Sequence, residues 1–576
     1  MRQLTRRAVL AGTSAVAAST LSSLLAIRSA AGQALGATQS VKEFLAAARS
    51  RALLTSERED LVDQANTLLK SFYVHLPLKR ARYGVDPLER LRLLRERLTF
   101  RESPMTDQEN DLAFHAEMRD IFASLRDMHT VYLLPDPYYP QSHAWLPFKV
   151  EACVEDGRRI YIVSRVVDGF AHATFQPGAE ILSFDGIPVE RAAELLGQQG
   201  SNPAARQALG LARLTYRWLY WQPPPQEDSV LIHYRAGSQE FEISIPWSVS
   251  RGIPECGKPF SEAQAIQKFR QFLYAPYDNC HPFGVPERIR TPDGLFGYLR
   301  IFSFENTLLS GGDEGFALRF RALVADLATD TKGLIVDVRD NAGGSTRAAE
   351  RIIQFIAPPK QDGSPRKIEP SRLYFVANPV TLKFCQLSTS AADDLGPNGL
   401  QPWKTSIERA LQSGGTFSDA FQYTRDGDAN EPTRVPFPGP VVVITSALSY
   451  SSAEFFAAGF QDHGGLILGV DETTGGGGAG VRSDADLYNY FADAGFTGDQ
   501  NPLKNLSPEN SNRANLSRGG FNVAFRRTVR VGLGTGAEIE DRGVLRDRPY
   551  AMTRQDLLNH NEDLKRAAAK LLAQMT

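Results

Sequence analysis

Residues 333–356 read GLIVDVRDNAGGSTRAAERIIQFI. The apolar run from Leu334, bounded by a glycine and by charged residues, reads as a strand buried on both faces. Gly343 and Gly344 then permit a sharp turn. STRAAERIIQFI carries apolar residues at helical spacing. The same alternation surrounds it: GYLRIFSF (297–304), DEGFALRFRALVADLA (313–328), VVVIT (441–445), SAEFFAAGF (452–460) and LILGV (466–470). Strands alternating with helices predict a mostly parallel, helix-covered sheet and an α/β fold class.

Upstream the pattern differs. Residues 41–125 repeat apolar positions every three or four residues and read as helices. Residues 144–247 hold short β-like runs such as RRIYIVSRVV and EFEISIPW. At 576 residues, with roughly 100–200 per domain, three or four units are expected. The expected boundaries are an export signal at 1–37, a helical region at 38–136 and a β-rich domain at 140–247. A linker or insertion at 248–292 precedes a core at 293–576. Within the core, 360–435 and 484–518 read as insertions, the first placed to form a lid or substrate wall. FNVAFRRTVRV reads as a strand and LLNHNEDLKRAAAKLLAQ as one closing helix.

Composition excludes several classes. The net charge is −2, with 42% hydrophobic and 23% charged residues, ordinary for a soluble globular chain. No half is strongly basic, so nucleic acid is not an expected partner. The N-terminus has a basic start, an Ala-rich apolar middle and small residues at its end, the form of a bacterial export signal. Arg6-Arg7 before Ala8-Val9-Leu10 resembles the twin-arginine type. A periplasmic or secreted location follows as an expectation, with no stable membrane insertion once the signal is removed. Four cysteines are too few for a disulfide scaffold. Cys256 and Cys280 share a loop and could pair; Cys153 reads as a buried thiol. No CxxC or HxxxH spacing marks a metal site, so neither metal nor cofactor is expected.

Four stretches could carry chemistry. DNAGGS leaves backbone amides uncovered at a helix start, which makes an oxyanion hole or merely a turn capped by Ser345. ITSALSYSSAEFF places serines between a strand and a helix, where they act as a nucleophile or as caps, with Ser451 or Ser452 in front of Glu454. SLRDMHTVYLL places His129 between a helix and a strand, and a serine nucleophile needs such a base. GAEIEDRGVLRD offers Glu538 and Glu540, which would share a face if the segment were a strand.

The order and wording of these stretches resemble the C-terminal processing, or tail-specific, serine peptidases. FQPGAEILSFDGIPV resembles that family's PDZ domain. The resemblance implies a crotonase/ClpP-like spiral core with an inserted PDZ-like domain. It implies Ser451 as nucleophile, three residues before Glu454, with oxyanion donors from Gly343 or Gly344 and from Ser452. One departure matters: GVDETTGGGGAGV (469–481) has no lysine where Ser-Lys members carry their base. Tricorn-like relatives use Ser-His-Glu instead, and SLRDMHT and EDRGV match their motifs. His129 is then the implied base and Glu540 the third member, with Glu538 in reserve. The expected activity is hydrolysis of polypeptides through an acyl-enzyme. The oligomeric state, homo-oligomer included, is left open. A catalytically inactive relative binding peptides or small apolar ligands is the alternative, opposed by the joint presence of Ser451, His129, Gly343-Gly344 and Glu540. An acyl-CoA enzyme is opposed by the export signal.

Overall fold

The computed structural model describes residues 39–47, 53–100, 107–136, 138, 142–167, 170, 172–250, 282–387, 399–504, 516 and 518–575. The expected export signal, the Cys256–Cys280 pair and most of the 248–292 linker lie outside the described residues.

Six elements position the site and are labelled in chain order: α1 (Leu76–Tyr83), β1 (Leu334–Asp337), α2 (Thr346–Ile353), β2 (Val441–Thr445), α3 (Ser452–Asp462) and β3 (Gly520–Val529). The α/β architecture expected from residue 293 onward is present. A six-stranded sheet runs Glu287–Thr291, Gly294–Arg300, β1, β2, Leu466–Gly469, Arg548–Pro549. Its first pair is antiparallel and every later pair is parallel. β1 and β2 are buried along their whole length, as their unbroken apolar sequences require of central parallel strands. Ile352 and Ile353 of α2 pack with Ala453, Phe456 and Ala457 of α3 over one face. Leu564, Ala568 and Leu572 of the C-terminal helix cover the other. Each such buried aliphatic or aromatic side chain contributes about 1.5–3 kcal/mol.

The helical region is present as five helices between Val41 and Ala123 among the described residues. The β-rich domain is an antiparallel sheet in the order Phe148–Glu155, Arg158–Val166, Glu180–Phe184, Ser229–Ala236, Gln239–Pro246. Its Asp185-Gly186 turn has both residues at positive φ, as the DG pair predicts. Cys153 is buried, and burial pushes its thiol up to about 11.

Three expectations are corrected. Residues 360–435, read as an insertion, are built into the fold where they are described. Their strand Arg372–Tyr374 pairs with β3, and Trp403 is buried against the sheet-and-helix core that includes Phe384, Phe72 and Phe525. Within 484–518, Asp484–Asp493 is a helix, started by Ser483 capping the Asp486 amide with Asp486 reaching back. The closing helix is two helices, Arg554–Leu558 and Glu562–Ala573, because His560 and Asn561 adopt left-handed φ of 57° and 60°.

Candidate active site

β1 and β2 are parallel neighbours, so the turns that leave their ends lie side by side. The serines of 446–452 bind those turns together. Ser449 Oγ donates to the Val338 carbonyl at 2.7 Å, Ser446 Oγ to Asp340 Oδ1 at 2.9 Å, and Ser452 Oγ to the Gly344 carbonyl at 2.7 Å. Ser451 is the exception. It stands at the N-cap of α3 with φ 57° and ψ −125°, a conformation a non-glycine residue holds only under constraint. Its amide donates to Glu454 Oε2 at 3.2 Å. The N-cap position and the constrained backbone of this buried serine are therefore one geometry.

Gly343 faces this serine, while Gly344 packs on the backbone of Phe304 and Glu305. Gly343 has φ 104°, and a methyl group on it would lie 2.6 Å from Ser451 Cβ, 3.0 Å from Ser451 Oγ and 2.9 Å from the Ser452 nitrogen. The Gly343 amide itself donates to Asn341 Oδ1 at 2.8 Å. Asn341 in turn takes the Tyr450 amide on its carbonyl and donates its side chain to the Ile301 carbonyl. Gly343 is thus a spacer whose own amide is engaged, while no hydrogen bond occupies the Gly344 or Ser452 amide among the described residues. Gly343→Ala is expected to fill that space and abolish reactivity of Ser451 toward a fluorophosphonate. Unchanged labelling in a folded variant would mean the oxyanion space lies elsewhere.

His129 is buried, with its ring against Tyr450, centroids 4.6 Å apart. Its amide is fixed by Asp127 Oδ1 at 2.8 Å. Asp127 also accepts from Thr130 Oγ1, which receives the Ala524 amide of β3. The imidazole Nδ1 has no partner among the described residues. Glu540 is equally buried, at the turn whose Asp541 has φ 63°. It meets Lys79 Nζ at 2.6 Å and His75 Nε2 at 3.4 Å, both carried at or next to α1. The structure thus brings Ser451, His129 and Glu540 into one buried region. Among the described residues, no direct hydrogen bond links Ser451 to His129 or His129 to Glu540. Catalytic hydrogen bonds are often loose before substrate arrives. Glu538 is not in this cluster: it is half-buried and bound to Arg527 and, at 3.1 Å, to Tyr374. The segment is a turn rather than a strand, so the two glutamates do not share a face.

Residues 295–490 match peptidase family S41, and residues 142–255 match a PDZ domain. The first stretch is the chain's S41 peptidase domain. Members of that family are serine proteases, and this S41 chain is a serine-type peptidase. A structure of mature CPAF complexed with lactacystin is similar at 18% identity and TM-score 0.62, covering 91% of this chain and 99% of that one. Mature CPAF is similar at 17% identity and TM-score 0.62, with 90% and 98% covered. At these identities the likeness is one of fold. No curated protein matches the chain.

The glycine loop of this S41 peptidase holds an acid in place of a base. Glu454 is fully buried and accepts from Thr474 Oγ1 at 2.6 Å and from the Gly476 and Gly477 amides at 2.7 and 2.6 Å. A Cβ on Gly477 would sit 1.9 Å from the Tyr450 ring, so only glycine lets that ring lie beside His129. Burial pushes the Glu454 carboxyl up to about 7, against the pull of its four donors. A raised acid stabilises the fold fully below the ordinary 4.5 of a glutamic acid and loses that stability as pH rises through about 7. The swing is about 3 kcal/mol. Glu454→Gln is expected to flatten the pH dependence of urea-unfolding free energy across that window. An unchanged slope would assign the dependence to another group.

Electrostatics set the base as well. Burial, with Lys79 nearby, pushes the His129 imidazole down to about 4 despite Asp127, so it is neutral near neutral pH. Burial holds His75 well below the usual range, with Lys79, Arg527 and His129 adding to the effect. Burial raises the Glu540 carboxyl and Lys79 draws it back, while Glu540, Asp127 and Asp541 together outweigh desolvation and keep Lys79 an ammonium. His75, Lys79 and Asp127 were not singled out from sequence. The one available signal was the Asp-x-His spacing of SLRDMHT; His75 and Lys79 lie on a helix with no motif of its own.

Proposed function

We propose that this S41 peptidase hydrolyses polypeptides through an acyl-enzyme, with Ser451 as nucleophile, His129 as general base and Glu540 as the acid that steadies the imidazolium. The observation that carries the reading is the convergence at Gly343. There the constrained Ser451 Oγ and the Ser452 amide both lie within about a van der Waals contact of one vacant-by-glycine position. His129 accepts the Ser451 proton as the hydroxyl oxygen attacks the scissile carbonyl. The tetrahedral oxyanion receives hydrogen bonds from the Gly344 and Ser452 amides. Return of the proton to the leaving nitrogen expels the amine, and water repeats the sequence on the ester. One oxyanion donor is worth roughly 3–4 kcal/mol of barrier, and base action about 10²–10⁴ in rate.

The substrate reaches this site as a polypeptide, and export through the twin-arginine-like N-terminus places the mature enzyme in the periplasm or outside the cell. Among the described residues, no helix is long and apolar enough to cross a membrane. The test is labelling of the purified chain with a fluorophosphonate, followed by peptide mapping. Label is expected on Ser451, with the rate lowered by His129→Ala. Label on another serine, or none on a folded chain, would overturn the assignment.

A further inference from the structure

The cluster beside the peptidase site has the donors of a metal centre, drawn from three distant segments. His75 Nε2, a carboxylate oxygen of Asp127 and a carboxylate oxygen of Glu540 all lie within 4.8 Å of one another. All three side chains are buried. His75 Nε2 and Glu540 Oε2 are 3.4 Å apart without forming a hydrogen bond. That is the edge of a tetrahedron with metal–ligand bonds of about 2.1 Å. Asp127 has to close by roughly 1 Å to complete the face. Both imidazole nitrogens of His75 are buried and unpartnered among the described residues. Buried polar atoms are nearly always satisfied, so this imidazole calls for an occupant.

Charge points the same way. Asp127, Glu540 and Asp541 face the buried Lys79 ammonium, with Arg82 reaching Asp541 at 3.9 Å, so the carboxylates still outnumber the cations. Lys79 engages Glu540 through Oε1, which leaves Oε2 turned toward His75. A divalent cation would neutralise the excess. One imidazole and two carboxylates, with a fourth position open, suit zinc better than calcium or magnesium, which prefer all-oxygen sites.

We propose that His75, Asp127 and Glu540 form a zinc site whose occupation holds Glu540 on the metal, where it is unavailable to the imidazole of His129, and switches the peptidase off. The binding half stands on the geometry alone; the inhibition half rests on the proposed role of Glu540. The two are separable. Zinc chloride is titrated calorimetrically into the full-length mature chain carrying Ser451→Ala, which needs no activity. Cobalt(II) is added in parallel, its visible spectrum reporting a tetrahedral N/O environment. One ion per chain is expected. His75→Gln and, as a second variant with a different fold risk, Asp127→Asn are each expected to weaken binding on the order of 100-fold or more. Binding that survives both substitutions in folded protein, or no binding at all, overturns the site. With the wild-type chain, zinc is expected to suppress fluorophosphonate labelling and a chelator to restore it. Zinc bound at His75 with labelling unchanged overturns the switch and leaves the site.

Discussion

Ser451→Ala is expected to lower kcat for peptide hydrolysis about a million-fold, to what oriented binding and the oxyanion amides alone provide. Ser451 is the only serine of 446–452 left out of the ties that bind the β1 and β2 turns: Ser446, Ser449 and Ser452 donate to Asp340, Val338 and Gly344. Removing its hydroxyl should therefore leave the framework intact. His129→Ala is expected to cost nearly as much, and the double variant little more than either, because base and nucleophile act on one proton. Independent losses that multiplied would show that His129 does not serve Ser451. A second base would then be required, and in this region the alternative is His75.

Lys79→Met is expected to cost about 3–5 kcal/mol of folding stability, the largest effect of any single surface-sparing substitution in the cluster. Lys79 is fully buried and meets Glu540 at 2.6 Å and Asp541 at 2.5 Å, with the Arg126 carbonyl at 3.3 Å. Methionine fills the volume and leaves two buried carboxylates without their cation. A buried ion pair adds little over a well-packed apolar pair, yet removing one partner strands the other. Asp541→Asn added to Lys79→Met should recover part of the loss. The measurement is urea unfolding of the three chains. A loss below about 1 kcal/mol would mean that water reaches these carboxylates in the folded state.

The parallel sheet was legible because LIVDV and VVVIT are apolar but for Asp337 and Thr445, a pattern that suits strands covered on both faces. The glycine pair and the serine-rich turn were legible for the same reason: strand, breaker and helix follow each other without a gap. The two closing helices were not, since His560 and Asn561 give no breaker signal and apolar spacing continues across them. The helix within 484–518 hid behind its polar composition, although Ser483 and Asp486 form a capping box. Residues 360–435 looked like an insertion because their proline and glycine content masks one short strand, Arg372–Tyr374, whose pairing with β3 is purely long-range.

At the candidate site, the nearness of Ser451, Gly343 and the Ser452 amide was readable because strand, turn and helix start are local in sequence. Their surroundings were not. Gly343 and Gly344 differ in their amides only through Asn341, whose side chain takes the Gly343 amide. Glu538 and Glu540 are equivalent in sequence and differ only in what the turn buries. His75 and Lys79 enter from α1, where periodic apolar positions say helix and nothing says site.

The clasp of Lys79 on Asp541 joins residues 462 apart. Ser451 and its amides are complete in a chain synthesised only as far as the end of α3, but the acid beside them arrives from the far end of the sequence and docks on a helix made first. Closing so long a loop is among the slowest steps a chain can take. A chain still being synthesised therefore lacks Glu540 and Asp541 beside Lys79, and this buried cluster is finished only when the C-terminal segment docks.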